Sequence, residues 1–173
     1  DPTVIGEVIR RQKLTGAAYC SNIHPRTFAD GLDVECLTKE VLIASHNEAV
    51  RPIDRDCVTY FAVRNRHRFP SETVINPIPG QEKERYVLDT PEDMKFCQEI
   101  AKRWPWKNGP PSQLAIMSIL DKEPELRDLN SHHIMNERFF AALAEEQPPS
   151  RVYTNSKKLL ERASATIPLA AQT

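Results

Sequence analysis

In Arg85-Tyr86-Val87-Leu88-Asp89-Thr90-Pro91-Glu92-Asp93-Met94 a short apolar run gives way to a helix start. Val87 and Leu88 predict a strand over 85–88. Thr90 is a good N-cap, Pro91 suits the first helical position, and Glu92 and Asp93 place acids in the first turn. Phe96, Cys97, Ile100 and Ala101 then recur at helical spacing and carry a helix over 91–103. Asp89 is thereby expected at the carboxyl end of a strand, the edge at which open α/β sheets bind ligands. A carboxylate there can hold a hard cation such as magnesium, which takes oxygen ligands and often bridges to phosphates. The same five residues also make an ordinary helix start, so capping and metal binding are both open from this run alone.

The surrounding chain has 173 residues, enough for one domain, or one domain and a tail. Hydrophobic residues make up 40%, which is sufficient for a packed core, and the formal net charge is −1. That balance lacks the basic excess that nucleic-acid binding needs. No apolar stretch reaches the length of a membrane span, and the first residues do not resemble a signal peptide. Cys20, Cys36, Cys57 and Cys97 show no CxxC spacing and do not pair with His24, His46, His67, His132 or His133 at zinc-site spacings. Reduced thiols in a cytoplasmic protein are the simpler expectation. The chain opens at Asp1-Pro2-Thr3 directly before a helical pattern, without an initiator Met, as a fragment of a longer protein would.

Helices are expected over 2–14, from Thr38 to about His46, over 54–65, 91–103, 111–121, 124–128 and 134–146. Strands are expected over 17–21, 32–37, 73–78 and 85–88, with an irregular loop from Asn22 to Gly31. Alternation in Leu32-Asp33-Val34-Glu35-Cys36-Leu37 puts Asp33 and Glu35 on one strand face, turned to solvent or to a pocket. Trp104 and Trp106 are expected to anchor the following helices. Gln147-Pro148-Pro149-Ser150 reads as a linker, and 156–163 as a separate short helix. Mixed strands and helices with a strand-loop-helix return make the class α/β.

Three segments, in order, carry a resemblance: Ser21 to Glu35 with Asp30-Gly31-Leu32-Asp33-Val34-Glu35 at its end, then Asp54-Arg55-Asp56-Cys57-Val58-Thr59, then Arg85 to Asp93. Together they resemble the cytidylyltransferases related to spore-coat polysaccharide biosynthesis, relatives of the CMP-sugar synthetases. The stretch from Ile119 to Arg127, with Asn130 and Asn136, is similar to that family's helical tail, so the likeness covers about 1–146. It implies the C-terminal portion of a Rossmann-like nucleotidyltransferase fold with a helical appendage. It also implies transfer of CMP from CTP to a sugar or sugar acid, release of pyrophosphate, and Mg2+ as cofactor. Asp89 matches one of the family's two metal carboxylates. The other, and the glycine-rich CTP loop, belong to parts that would precede Asp1, so this chain by itself is expected to be inactive. Asp33, Glu35, Arg55 and Arg85 are the implied substrate-binding residues. Each also has a plainer reading. Arg55 suits a surface salt bridge, and Arg85 an ion pair with Glu84 or Glu92.

The chain departs from the family in the second segment, where a usual His and a Pro beyond it are replaced by Cys57 and Tyr60. A thiol donates hydrogen bonds only weakly. Cys57 reads as a packing residue rather than a nucleophile, and His132-His133 as a solvated or capping pair. The tail from Ser156 to Pro168 resembles the first helix of class III aminotransferases of the glutamate-1-semialdehyde type. That implies 147–173 as the start of a fused domain whose PLP site would lie beyond Thr173. The rival from another class is a non-catalytic interaction module derived from the fold. A homodimer is among the expected assemblies.

Overall fold

The computed structural model describes residues 1–146; the expected linker, the 156–163 helix and the aminotransferase-like start lie outside them. The described chain belongs to two units, 1–137 and a second that begins at Arg138.

The first unit opens with α1 (Pro2–Thr15), capped by the Asp1 carboxylate, which accepts from Thr3 N at 2.8 Å. Strand β1 (Tyr19–Ser21) follows, then the long loop, β2 (Glu35–Leu37) and α2 (Lys39–Glu48). The helix expected over 54–65 is two short ones, α3 (Pro52–Asp56) and α4 (Tyr60–Arg64), interrupted at Cys57–Thr59. Strand β3 covers Ser71–Thr73 rather than 73–78. Then come α5 (Pro91–Arg103), α6 (Gln113–Leu120) and a 3₁₀ turn over Pro124–Leu129.

The sheet has the order β2-β1-β3, with β1 antiparallel to β2 and parallel to β3. Successive strand residues point to opposite faces. Cys20 therefore joins Val4 and Val8 of α1, Phe28, Ala29, Leu32 and Val74 on one face. Tyr19 packs with Val41 of α2 and Ala62 of α4 on the other. Helices on both faces of a small mixed sheet are the α/β arrangement the pattern predicts. A third cluster, Phe96, Ile100, Leu120 and Leu126, joins α5, α6 and the 3₁₀ turn. Tyr86 packs against this cluster and against the sheet core, with its ring stacked on Phe96 at 6.0 Å between centroids.

Residues 85–88 are not a strand: Arg85 makes one isolated bridge with Asp30, and the following residues join no ladder. The helix start, in contrast, forms as expected. Thr90 Oγ1 accepts from Asp93 N at 3.1 Å, and Asp93 Oδ2 accepts from Thr90 N at 3.0 Å, a reciprocal cap. Thr90→Ala is expected to cost about 1 kcal/mol in chemical denaturation, the usual loss of a cap hydroxyl. Trp104 and Trp106 tie their own turn instead of anchoring the next helices, donating Nε1–H to Gly109 O (2.7 Å) and Ala101 O (3.0 Å).

Helix α7 (Glu137–Glu145) lies in the second unit from Arg138 onward and carries Phe139 and Phe140 edge to face, their centroids 5.4 Å apart. No helix among the described residues is long and apolar enough to cross a membrane.

Candidate active site

The segment that ends in Asp30-Gly31 and the segment Arg85-Tyr86-Val87 cross in contact. Asp30 N donates to Glu84 O (2.9 Å) and Tyr86 N to Asp30 O (2.7 Å). Gly31 makes this possible. Its φ is +97°, and a Cβ there would stand 2.7 Å from the Tyr86 carbonyl carbon. The crossing brings two acidic stretches, separated by more than fifty positions, to one place.

A row of alternating charges results. Arg26 grips Asp33 with both Nη atoms, at 2.6 and 2.7 Å. It also lies 3.9 Å from Asp30. Arg85 donates to Asp30 at 3.0 Å and forks onto Asp93 at 2.9 and 2.8 Å. Its partners are thus Asp30 and Asp93, not the expected Glu84 or Glu92. Glu84 is held by Arg127 at 2.8 Å, and Glu92 lies 3.6 Å from His133. Asn130 Nδ2 and the backbone N–H of Asp89 complete the bonds to Asp93, at 2.9 and 3.1 Å. Burial alone would raise the Asp93 carboxyl, but the bonds from Arg85, Asn130, Asp89 and Thr90 outweigh it and hold the group far below the usual carboxylate range. Burial pushes the Asp30 carboxyl up, with Arg26 and Arg85 opposing and Asp33 and Asp89 reinforcing the rise.

Asp89 is the open member of this row. Its side chain is 71% exposed, with Arg85 Nη2 3.8 Å away. It does not sit at the end of a paired strand. The four carboxylates Asp30, Asp33, Asp89 and Asp93 outnumber the two guanidiniums, so the row is net acidic. Among the described residues no group of three His, Cys, Asp or Glu could hold a metal ion. One exposed carboxylate still fits magnesium, which keeps most of its waters and binds through one or two carboxylates and substrate phosphates.

Glu35 belongs to a second cluster. It lies opposite Ser21 in the β1–β2 register and accepts from the Tyr19 hydroxyl and from Thr59 Oγ1 (2.7 Å). Burial, then the Glu35 carboxylate, pushes the Tyr19 phenol far above its ordinary range. Ser21 is fully buried beside Tyr19, and its hydroxyl opposes the rise of the phenol. His24 stands beside this cluster with its carbonyl held by Thr73 Oγ1 at 2.7 Å. Burial and then Arg66 lower its pKa, against Glu35. Asp33 and Glu35, expected on one strand face, are held apart by different partners. Asp33 precedes β2 and faces Arg26.

The second segment reaches this cluster through Thr59, not Arg55. Arg55 is exposed, donates Nε–H to Ala49 O at 2.9 Å and lines a separate cavity of about 210 Å³ with His46 and Asp54. Cys57 lies at the break between α3 and α4, and burial raises its thiol pKa, which disfavours the thiolate a nucleophile needs. His133 Nε2 lies 3.2 Å from the capping Thr90 Oγ1, and His132 packs on it with 4.2 Å between ring centroids.

Sequence reasoning missed Tyr19, Thr59, Ser21, Asp30 and Asn130. Asp93 was visible only as a capping acid, although its position three residues after Thr90 was the signal. Replacing Tyr19 with Phe should cost about 1.5–3 kcal/mol, one buried hydrogen bond to a charged acceptor, and leave Glu35 with Thr59 as its donor. Chemical denaturation checks the figure.

No protein-family model and no curated protein matches this chain. A solved structure of a cytidylyltransferase from Leptospira borgpetersenii serovar Hardjo-bovis is similar, with a TM-score of 0.59 and 21% sequence identity. The likeness covers 68% of this chain and 47% of that one. The chain therefore shares the α/β fold of part of that structure and spans about half the length of this structural neighbour.

Proposed function

We propose that this chain is part of an enzyme that transfers CMP from CTP to a sugar or sugar acid for surface polysaccharide, with release of pyrophosphate. The observation that carries the reading is the crossing of Asp30-Gly31 with Arg85-Tyr86-Val87, which gathers two of the three resembling segments at one site. The likeness in fold to a cytidylyltransferase supports it. In this reaction the oxygen of a sugar hydroxyl bonds to the α-phosphorus of CTP and loses its proton. The bond from the α-phosphorus to the bridging oxygen breaks, and its electron pair leaves with pyrophosphate.

Asp89 would hold magnesium, which when bound neutralises phosphate charge and helps to align the reacting groups. Arg85 keeps the Asp89 segment in place because its guanidinium is pinned from two sides by Asp30 and Asp93. Glu35, already receiving two hydroxyl donors, retains lone pairs to accept from sugar hydroxyls. Catalysis then rests on positioning rather than on a protein nucleophile.

Calorimetry on the native polypeptide that carries this sequence tests the reading. CTP is expected to bind with a magnesium-dependent heat, and Asp89→Asn to weaken magnesium binding about tenfold or more, as loss of a metal-site contact does. Magnesium binding that Asp89→Asn leaves unchanged would remove Asp89 from the site.

A further inference from the structure

Arg66 lies on the turn between α4 and β3. Phe69 N donates to Arg66 O at 3.3 Å, and Pro70 O accepts from Ala18 N and Tyr19 N at 2.8 and 3.2 Å, which moors the turn to the start of β1. Val63 and Phe69, on either side of Arg66, pack against the cluster of Tyr19, Val41 and Ala62. The turn therefore stands next to the tyrosine whose hydroxyl reaches Glu35. The neighbouring arginines are occupied. Arg64 is paired with the buried Asp54, and Arg68 is forked onto Glu48. Within the site, Arg26 and Arg85 are taken up by Asp33, Asp30 and Asp93. Arg66 is exposed and has no carboxylate within ion-pairing distance among the described residues. The Arg66 charge is felt at both Tyr19 and His24, which sets it beside the Glu35 cluster.

We propose that Arg66 is an anion-binding residue of this site, pairing with the carboxylate or phosphate of a sugar whose hydroxyls meet Glu35. The proposal rests on the sugar-binding reading of the Glu35 cluster. A planar guanidinium matches an oxyanion with two parallel charge-assisted hydrogen bonds, roughly twice as strong as those it makes to the hydroxyls of a neutral hexose. Arg66 is then a determinant of specificity for charged over neutral sugars, a task expected of Arg55 and Arg85 but open to neither by position.

His24 is the reporter. It is half-buried and feels Arg66 and Arg26 on one side and Glu35 and Asp33 on the other. Its ring protons are followed by NMR across a pH series for the wild type, Arg66→Gln and Arg66→Lys, alone and with millimolar glucuronate, glucose 6-phosphate or glucose. No CTP or magnesium is present, so failure here leaves CMP transfer standing, and failure of CTP to bind leaves this site standing. Arg66→Gln alone is expected to raise the His24 pKa, because a nearby positive charge is lost. In the wild type an anionic sugar should raise it too, whereas glucose should not. Arg66→Gln should abolish the ligand response, and Arg66→Lys should keep part of it. A response to glucuronate alone assigns a carboxylate, to glucose 6-phosphate alone a phosphate, and to both a general oxyanion pocket. The proposal is overturned if neither anion shifts His24, if glucose acts equally, or if Arg66→Gln leaves the His24 pKa or the ligand response unchanged.

Discussion

Asp93→Ala is expected to lower the unfolding free energy by about 3–5 kcal/mol, the usual cost of removing one partner from a buried ion pair. The physical reason is the number of groups that this carboxylate satisfies. Arg85 is only 10% exposed and loses both prongs of its fork. Asn130 Nδ2 loses one of its two acceptors, and the backbone N–H groups of Asp89 and Thr90 lose theirs. The end of α5 would come loose along with the Asp89 segment. Urea unfolding of the two proteins at neutral pH checks the figure, and a loss under about 1 kcal/mol would contradict it. The pH dependence has a definite sign. The folded carboxyl is held below its unfolded value, so its stabilisation is present above the unfolded pKa of about 3.9 and is lost as pH falls toward the folded value. Wild type and variant should therefore converge in stability on acidification, and the variant should show the shallower acid limb.

Gly31→Ala should be nearly as damaging, at about 2–5 kcal/mol. Two costs add. An L-residue at φ +97° is strained by roughly 1–3 kcal/mol. The new Cβ would also meet backbone, 2.7 Å from Tyr86 C and 2.8 Å from Tyr86 O, and neither atom can turn aside as a side chain end can. Relief requires the two crossing segments to separate, which would stretch the Asp30–Glu84 and Tyr86–Asp30 backbone bonds. Asp30 would draw away from Arg85 at the same time. The substitution thus tests the crossing itself. Amide exchange of Asp30 and Tyr86 should accelerate in the variant beyond the global loss of stability.

Local chemistry was legible in the sequence, and pairing over distance was not. The Thr90 cap, the helices α1, α2 and α5 and the strand β1 follow from spacing and helix-start residues alone. The apolar Val87-Leu88 pair predicted a strand, but the segment crosses Gly31 instead of joining a ladder. Its burial comes from Tyr86, which packs between two cores. Alternation through Asp33 and Glu35 was real in composition, yet β2 starts only at Glu35, because Asp33 is drawn to Arg26 seven residues before it. The helical pattern over 54–65 conceals a break at Cys57–Thr59 that turns Thr59 toward Glu35. No local rule could foresee that hydroxyl's partner, 24 positions away. Arg55 was singled out by type and by the resemblance, and its exposed position beside a different cavity reflects the packing of α3.

Turnover tests CMP transfer most directly. The native polypeptide that carries this sequence is incubated with CTP, magnesium and a panel of neutral and acidic sugars, and pyrophosphate and nucleotide products are followed by coupled assay and mass spectrometry. The account predicts pyrophosphate release that depends on one class of sugar, a product heavier than that sugar by one CMP residue, and loss of both in Asp89→Asn. A native polypeptide that neither binds CTP nor releases pyrophosphate with any sugar would contradict it and leave a non-catalytic interaction module on a nucleotidyltransferase fold.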